Sequence, residues 1–267
     1  MCIYICCIHG LCNRLSWLCG HYAYNLSRKC KEDCTVYVRW IPQRFCNGDY
    51  QEIFKDLPMM KWVKSDEEVP KGVKKYYGQH SVPNVFKMYN VKISSELECS
   101  VFGLLNFKDE IEREAKEFMD KKFSKNTIGF HVRRTDHTGL AKKVGNYKDD
   151  NYFFGIMEDE IKKDKDVRFY LACDNRVSQD LYLKKFPNHI IIKKEINKIK
   201  DSFRHTTLRD AGLDMCLLSH CSRVEGSFHS SFSRVALMLN LNRRGEQHLA
   251  DKELNRYVFR GHQYHVN

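Results

Sequence analysis

The chain has 267 residues, of which 42% are hydrophobic and 30% are charged. These proportions are typical of a globular protein with a buried core, and they exclude an intrinsically disordered chain. The net charge of +11 favours anionic partners. Because much of the excess is lysine spread over predicted helical faces, we interpret it as a solvated surface and expect no nucleic-acid partner.

The first predicted element is a buried strand at Cys2–Ile8, followed by a tight turn at Gly10 and a helix from Asn13 onward. A second strand is predicted at Thr35–Trp40. The chain has twelve cysteines, and the densest group falls in and just after the first strand, where thiols pack as small hydrophobic side chains. Since no Cys-x-x-Cys pair occurs, the paired ligands of a structural zinc site are missing and we expect no metal.

Farther along the chain, a short helix is predicted at Asp49–Leu57 and an amphipathic helix at Lys108–Lys122. After Ser124 strands and helices alternate. The predicted strands are Thr127–Val132, Val167–Ala172, His189–Ile192 and Arg223–Glu225. The predicted helices are Tyr152–Ile161, Val177–Phe186, Leu208–Ser219 and Ser231–Leu241. This alternation indicates an α/β fold with parallel sheets, in which ligands bind at the carboxyl ends of the strands.

One candidate site follows the strand at Thr127–Val132. The segment His131–Asp136 places a histidine, two arginines, a threonine and an aspartate where that strand ends, at the start of a long polar loop, Arg133–Asp150. Two adjacent guanidinium groups match the oxygens of a diphosphate. The alternative is a surface arginine pair bridged to Asp136, and the residues alone favour neither interpretation.

A second candidate site lies at the start of the last predicted helix. Ser230 and Ser231 offer hydroxyl groups next to free backbone N–H groups, which together form an anion site, although simple N-capping would account for them as well. The turn at Gly10–Leu15 also precedes a helix, but it has neither the glycine pattern of a dinucleotide-binding turn nor that of a P-loop.

Together, four segments resemble the fucosyltransferase superfamily that includes the α1,6-, α1,2- and protein O-fucosyltransferases. His131–Asp136 matches the His-x-Arg-Arg-Thr-Asp motif of the α1,6 branch. Tyr170–Asn175 is similar to a strand that ends in an acidic pair, reduced in this chain to Asp174 and Asn175, and Leu208–Ala236 is similar to a third block. Gly10–Leu15 is similar to the family's Gly-x-Gly-Asn turn, with cysteine at one glycine.

The resemblance implies a GT-B-like architecture, with two Rossmann-like lobes, parallel sheets and the nucleotide sugar in a cleft between them. We place the acceptor-side lobe at residues 1–125 and the donor-side lobe at residues 126–267. The implied reaction is an inverting, metal-independent transfer of fucose from GDP-fucose to a glycan or other hydroxyl acceptor, with no cofactor. Another GDP- or UDP-sugar, or a non-catalytic nucleotide- or RNA-binding role, is the alternative.

Residue roles also follow from the resemblance. Arg133 is expected to bind the β-phosphate, with Arg134 supporting the loop or the donor. The other expected donor-binding residues are His131 and Asp214 at guanine, Ser230 and Ser231 at phosphate, Asp174 in the second block, and Asn13 and Arg14 near the donor sugar or acceptor.

One departure from the family pattern concerns the general base. The α1,6 branch has a glutamate a few residues after the arginine pair, where this chain has Ala141. Asp136, His137, Asp149 or Asp150 could replace it, or the reaction could proceed with little base assistance. We favour Asp136 as the catalytic base, although it could equally orient Arg133 or Arg134.

The expected location is the cytoplasm. No segment approaches the roughly 20 apolar residues of a membrane-spanning helix. No basic stretch precedes the apolar run at Cys2–Ile8, as it would in a signal peptide. Free thiols along the chain also suit a reducing compartment.

Overall fold

A computed structural model describes residues 2–28, 35–44, 46–135, 138–143, 147–196 and 206–255. The chain divides into two compact units. The first consists of Met1–Glu114 together with Thr207–Cys216, and the second of Ala115–Thr206 together with Leu217–Asn267. The predicted lobes, 1–125 and 126–267, remain predictions. Among the described residues, no helix combines the length and the apolar character needed to cross a bilayer.

The first unit contains a four-stranded parallel sheet. Its strands are β1 (Ile3–Cys7), β2 (Val36–Trp40), β3 (Met60–Trp62) and β4 (Lys74–Gly78), in the order β3-β2-β1-β4. Its helices are α1 (Leu11–Ser27), α2 (Val82–Lys87) and α3 (Ser95–Phe102). All five residues of β1 are buried, which explains why this strand is a continuous apolar run.

The cysteines near the amino terminus pack as predicted. Cys6, Cys7 and Cys12 are buried and form no disulfide. Burial raises the pKa of Cys7 well above its ordinary value, with a smaller contribution from Cys6. The thiol is therefore protonated at neutral pH and behaves as an apolar side chain.

A segment that is distant in sequence completes the first unit. Helix α8 (Leu208–Ser219) begins within Thr207–Cys216, which belongs to this unit. A Cβ atom at Gly212 would lie 2.6 Å from the side chain of Ile53, so glycine permits a close approach between α8 and the segment around Ile53.

The second unit contains another four-stranded parallel sheet. Its strands are β5 (Thr127–Val132), β6 (Arg168–Cys173), β7 (Ile190–Ile191) and β8 (Val224–Gly226), in the order β7-β6-β5-β8. The remaining helices are α4 (Asp109–Lys122), α5 (Thr138–Lys143), α6 (Asp150–Lys163), α7 (Arg176–Lys185), α9 (Ser231–Arg244) and α10 (Ala250–Asn255). An apolar core around Ile128, Phe130, Phe153 and Phe169 lies against one face of this sheet.

The alternating elements of the second half agree with the prediction to within a few residues. In the first half, the helix predicted at Asp49–Leu57 is wrong, because the structure has only a single 3₁₀ turn at Tyr50–Glu52. The chain then enters an isolated antiparallel bridge between Phe54 and Phe107, in which Lys108 N–H donates to the Ile53 carbonyl (2.8 Å). This tertiary pairing ends the helical turn.

Candidate functional site

The carboxyl edge of the second sheet gathers most of the predicted site residues. Strand β5 lies between β6 and β8, with Val132 opposite Cys173 and His131 opposite Gly226. Parallel strands end at a common edge, so the segments that follow these three strands are neighbours. They carry Arg133–Thr135 after β5, Asp174 after β6 and Ser227 after β8.

Asp174 holds the loop that follows β5. Its Oδ1 accepts the backbone N–H of Arg134 (2.8 Å), and its Oδ2 accepts both the backbone N–H (3.2 Å) and the hydroxyl (2.7 Å) of Thr135. Three hydrogen bonds to one carboxylate restrain the backbone strongly, since charged acceptors form the stronger hydrogen bonds. Asp174 was expected to contact a donor, and in the structure its carboxylate contacts this loop.

Ser227 holds the same loop from the opposite side. Its hydroxyl accepts the backbone N–H of Arg133 (2.9 Å), and its own backbone N–H donates to the carbonyl of His131 (2.9 Å). Ser227 is buried. No role was predicted for Ser227, although it precedes Ser230 and Ser231 in the same predicted anion-binding stretch. Its hydroxyl, directly after a strand end, was a signal that could have identified it.

Arg134 is directed into the unit. Its side chain is 9% exposed, and its Nε and Nη2 atoms donate to Oδ1 of Asp150 at 3.2 and 2.8 Å. Tyr182 donates its hydroxyl to the same oxygen (3.0 Å). Desolvation raises the pKa of Tyr182, and the charge of Asp150 adds to this, so the hydroxyl stays protonated as a donor. Arg134 is therefore anchored to Asp150, and its two expected roles, at the loop and at the donor, stay predictions.

Arg133 directly follows the last residue of β5. Its backbone is fixed by Ser227, and its side chain is half-buried at the carboxyl edge of the sheet. Arg134 thus forms an ion pair with Asp150, whereas the neighbouring Arg133 is a half-buried residue directly after β5.

His131 is held by the first turn of α9. The ring is 7% exposed, its Nδ1 lies 2.7 Å from the hydroxyl of Ser233, and it stacks on Phe232 with ring centroids 4.6 Å apart. Ser233 and Phe232 therefore fix the orientation of the His131 ring.

Ser230 and Ser231 stand at the start of α9, as predicted. Ser230 is the N-cap, and its hydroxyl accepts the backbone N–H of Ser233 (3.4 Å). Ser231 is the first helical residue and is half-buried. No acidic residue lies in the first turn of α9, so this turn itself supplies no carboxylate that would offset its partial positive charge.

The remaining predicted site residues belong to the first unit or lie outside the described residues. Asn13 donates through Nδ2 to Oε1 of Gln79 (3.0 Å). Asp214 is half-buried on α8, in the segment assigned to the first unit. Asp136, the favoured base, and His137 lie outside the part of the chain that the structure describes.

Arg14 differs from the expectation that it faces a ligand. Its side chain is fully buried, with Nε donating to the His9 carbonyl (2.6 Å) and the guanidinium 4.8 Å from the Trp40 ring centre. Burial lowers the pKa of Arg14, and nearby thiols offset this in part. Arg14 thus lies beneath the turn at His9, and its contact with a donor or acceptor stays a prediction.

Comparison with solved structures identifies the fold. A structure of NodZ alpha-1,6-fucosyltransferase co-crystallized with GDP matches with a TM-score of 0.57 and 15% identity, over 88% of this chain and 92% of that chain. POFUT1 in complex with GDP matches with a TM-score of 0.57 and 10% identity, over 90% of this chain and 94% of that chain. NodZ from Bradyrhizobium matches with a TM-score of 0.55 and 16% identity, over 88% of this chain and 93% of that chain.

These matches confirm the predicted fold class, an α/β fold of the GT-B type with parallel sheets. The chain has the fold of fucosyltransferase structures. No protein-family model matches the sequence, and the comparison with curated proteins gave no match.

Proposed function

We propose that this chain is a glycosyltransferase that moves fucose from GDP-fucose to a hydroxyl acceptor. Two observations support this proposal. The fold is that of NodZ and POFUT1 structures described as containing GDP or GDP-fucose. The second sheet also carries an arginine-bearing loop and the start of a helix at one edge, and both of these favour a phosphate group.

The observation that carries the proposal is the double attachment of the Arg133 loop. Asp174 and Ser227 hold its backbone from the two neighbouring strand ends, and Arg134 is anchored to Asp150. A cation on a loop held in this way requires little reorganisation when charge develops nearby, which is the condition for electrostatic catalysis.

In the proposed reaction, an acceptor hydroxyl displaces GDP with inversion at the anomeric carbon. Negative charge then accumulates on the β-phosphate as the bond to the sugar breaks. Arg133 stabilises that charge, together with Ser230, Ser231 and the N–H groups at the start of α9. These groups supply positive charge at the leaving phosphate, so the proposed mechanism requires no metal.

Recognition of guanine is assigned to His131 and Asp214. The ring of His131 lies against Phe232, and its orientation is fixed by Ser233. A carboxylate such as that of Asp214 is complementary to the N1–H and the amino group of guanine. In this proposal the donor-side lobe is residues 126–267, and residues 1–125 receive the acceptor.

Two of the carboxylates considered as the catalytic base already accept hydrogen bonds within the protein. Asp149 is the N-cap of α6 and accepts the backbone N–H of Tyr152 (2.9 Å). One oxygen of Asp150 already accepts from Arg134 and Tyr182. Both carboxylates thus have structural partners, whereas Asp136 and His137 lie outside the described residues. Asp136 remains the proposed base, as favoured from the sequence.

Calorimetric titration with GDP, UDP and GDP-fucose, followed by an assay of GDP release, tests the proposal. We expect GDP and GDP-fucose to bind more tightly than UDP, and GDP to be released from GDP-fucose when an acceptor is present. If GDP does not bind, the proposal is wrong. Binding without turnover on any acceptor would support the non-catalytic alternative, and turnover with another nucleotide sugar would correct the donor.

A further inference from the structure

A carboxylate, a thiol and an imidazole lie close together at the end of α8. Glu112 is in the first turn of α4, Cys216 is in α8, and His220 directly follows α8. One carboxylate oxygen, the Sγ atom and one ring nitrogen of these side chains all lie within 4.8 Å of one another. No metal was expected from the sequence, which has no Cys-x-x-Cys pair, and Glu112 is 104 positions away from Cys216.

Two contacts join α4 to α8 in the first unit. The thiol of Cys216 donates to Oε2 of Glu112 (3.6 Å), and Nη2 of Arg209 forms an ion pair with Oε2 of Glu114 (2.6 Å). Helix packing therefore brings the thiol and the carboxylate together, so a ligand that binds both of them requires little rearrangement.

The imidazole belongs to the same chain segment as the thiol. Cys216 and His220 are four residues apart, a spacing that places two side chains on one face of a helix. The backbone N–H of His220 donates to the Leu217 carbonyl (3.1 Å), so the helical turns continue as far as His220. Side chains at this spacing can bind one metal ion, as the two histidines of helical zinc motifs do.

The types of ligand atom favour zinc. Thiolate, imidazole and carboxylate groups are all zinc ligands, whereas Mg²⁺ and Ca²⁺ take oxygen ligands. In a tetrahedral zinc site a sulfur and an oxygen ligand are about 3.5 Å apart. This separation is close to the 3.6 Å between Sγ of Cys216 and Oε2 of Glu112. Three protein ligands leave the fourth position of the tetrahedron for a water molecule.

The burial and the charges of the three side chains also suit this ion. Cys216 is fully buried, whereas Glu112 and His220 retain contact with solvent, which gives an ion a path of entry. On binding, Cys216 releases its proton to solvent, and one thiolate and one carboxylate balance the two charges of the ion. The ion therefore brings no net charge into a partly buried region.

From these observations we propose that Glu112, Cys216 and His220 bind a single Zn²⁺ ion that links α4 to the end of α8. An ion that binds the folded chain and not the unfolded chain stabilises the fold, so the role of this site is structural. The zinc site takes no part in the proposed transfer of fucose, and this inference does not rest on the proposed function.

The test is titration of the full chain with Zn²⁺, Co²⁺ and Mg²⁺, after production without a histidine tag and treatment with a chelator. We expect one Zn²⁺ ion to bind per chain and to raise the melting temperature. Co²⁺ should produce a sulfur-to-metal charge-transfer band and the intense visible absorption of tetrahedral coordination. Mg²⁺ should have neither effect, because a thiolate and an imidazole are poor ligands for it.

Three variants remove one ligand each. Cys216→Ser, His220→Gln and Glu112→Gln should each weaken Zn²⁺ binding at least about tenfold, and Cys216→Ser should also abolish the charge-transfer band. His220 retains contact with solvent, so His220→Gln should fold even if Cys216→Ser does not.

Cys221→Ser is the matched control, since Cys221 is a buried cysteine directly after His220 whose Sγ donates to the Leu217 carbonyl (3.4 Å). A serine can donate to the same carbonyl, and this variant should bind Zn²⁺ as the wild type does. The inference is wrong if Zn²⁺ does not bind, if Mg²⁺ stabilises the chain equally, or if Co²⁺ gives no charge-transfer band. It is also wrong if the His220→Gln variant binds Zn²⁺ as tightly as the control.

Discussion

The Ser227 hydroxyl accepts a hydrogen bond from the backbone N–H of Arg133 at 2.9 Å, which joins the loop after β5 to the end of β8. Ser227→Ala removes this acceptor and leaves a backbone N–H without its partner. We expect turnover of GDP-fucose to fall about tenfold, consistent with the loss of about 1–1.5 kcal/mol from one hydrogen bond.

The measurement is the rate of GDP release, with the melting temperature recorded for each variant. Ser222→Ala is the matched control, because Ser222 donates to the Thr127 carbonyl at the opposite end of β5. If the two alanine variants lose activity equally, Ser227 has no special role in positioning Arg133.

The two adjacent arginines should behave differently when each is replaced by alanine. Arg133→Ala should lower the rate on the order of 10²–10³-fold, as the loss of a charge-stabilising donor does. It should leave the melting temperature nearly unchanged, because we assign the side chain to the donor phosphate and not to the core. Arg134→Ala should destabilise the fold by about 2–3 kcal/mol, because it leaves Asp150 without its ion-pair partner.

Thermal denaturation and GDP titration of both variants distinguish these effects. Unfolding of the Arg133→Ala variant at a much lower temperature would show that this arginine is structural. An Arg134→Ala variant as stable as the wild type would contradict the role of the ion pair with Asp150.

Asp214 should determine the preference for guanine. Asp214→Ala removes the carboxylate that we assign to the guanine N1–H and amino group, so the ratio of GDP affinity to UDP affinity should fall. A decrease of about tenfold or more is expected from the loss of hydrogen bonds to a charged group. Asp210→Ala, on the same helix, is the control. An unchanged ratio in the Asp214 variant would remove this residue from the site.

Stability at acidic pH should depend on His21 of α1. Its Nδ1 lies 2.6 Å from the Tyr89 hydroxyl, and its ring packs against Trp17 and Tyr76. Burial, with smaller contributions from the charges of His80 and Lys74, lowers the pKa of His21 to about 3. In the unfolded chain the pKa is about 6.5, so between these values the unfolded state binds a proton that the folded state does not.

The free energy of unfolding should therefore fall as the pH drops below about 6.5, by roughly 2 kcal/mol at pH 5 from this group. Urea denaturation followed by tryptophan fluorescence measures this free energy of unfolding, since all three tryptophans lie in the first unit together with His21. His21→Gln should reduce the difference in stability between pH 7.5 and pH 5, whereas the exposed His248→Gln should not. An undiminished difference in the His21 variant would contradict the prediction.

The elements that could be predicted from sequence are those whose burial makes a pattern. Strand β5 is buried at all six residues and was predicted with its observed bounds. Strand β4 was not predicted, because it is an edge strand in which Lys74, Lys75 and Tyr77 are exposed and only Tyr76 is buried. Its apolar pattern is too short to distinguish a strand from a loop.

The site was predictable in its residue types but not in its internal contacts. The adjacent arginines and the serines at the start of α9 were found, because cationic and hydroxyl groups at strand and helix ends are typical of anion sites. Sequence spacing gave no indication that Arg134 is directed towards Asp150 or that Arg14 is buried. Those outcomes depend on which side chains surround each guanidinium, and that is decided by tertiary packing.

The place of residues 207–216 in the first unit affects how the protein can be divided. A fragment ending at residue 125 would lack the stretch of α8 in which Gly212 approaches Ile53, and it would expose the apolar side chain of Ile53 to water. Expressed alone, such a fragment should aggregate or bind a chaperone. Supplying residues 207–216 through a short engineered linker should restore a folded, monodisperse product.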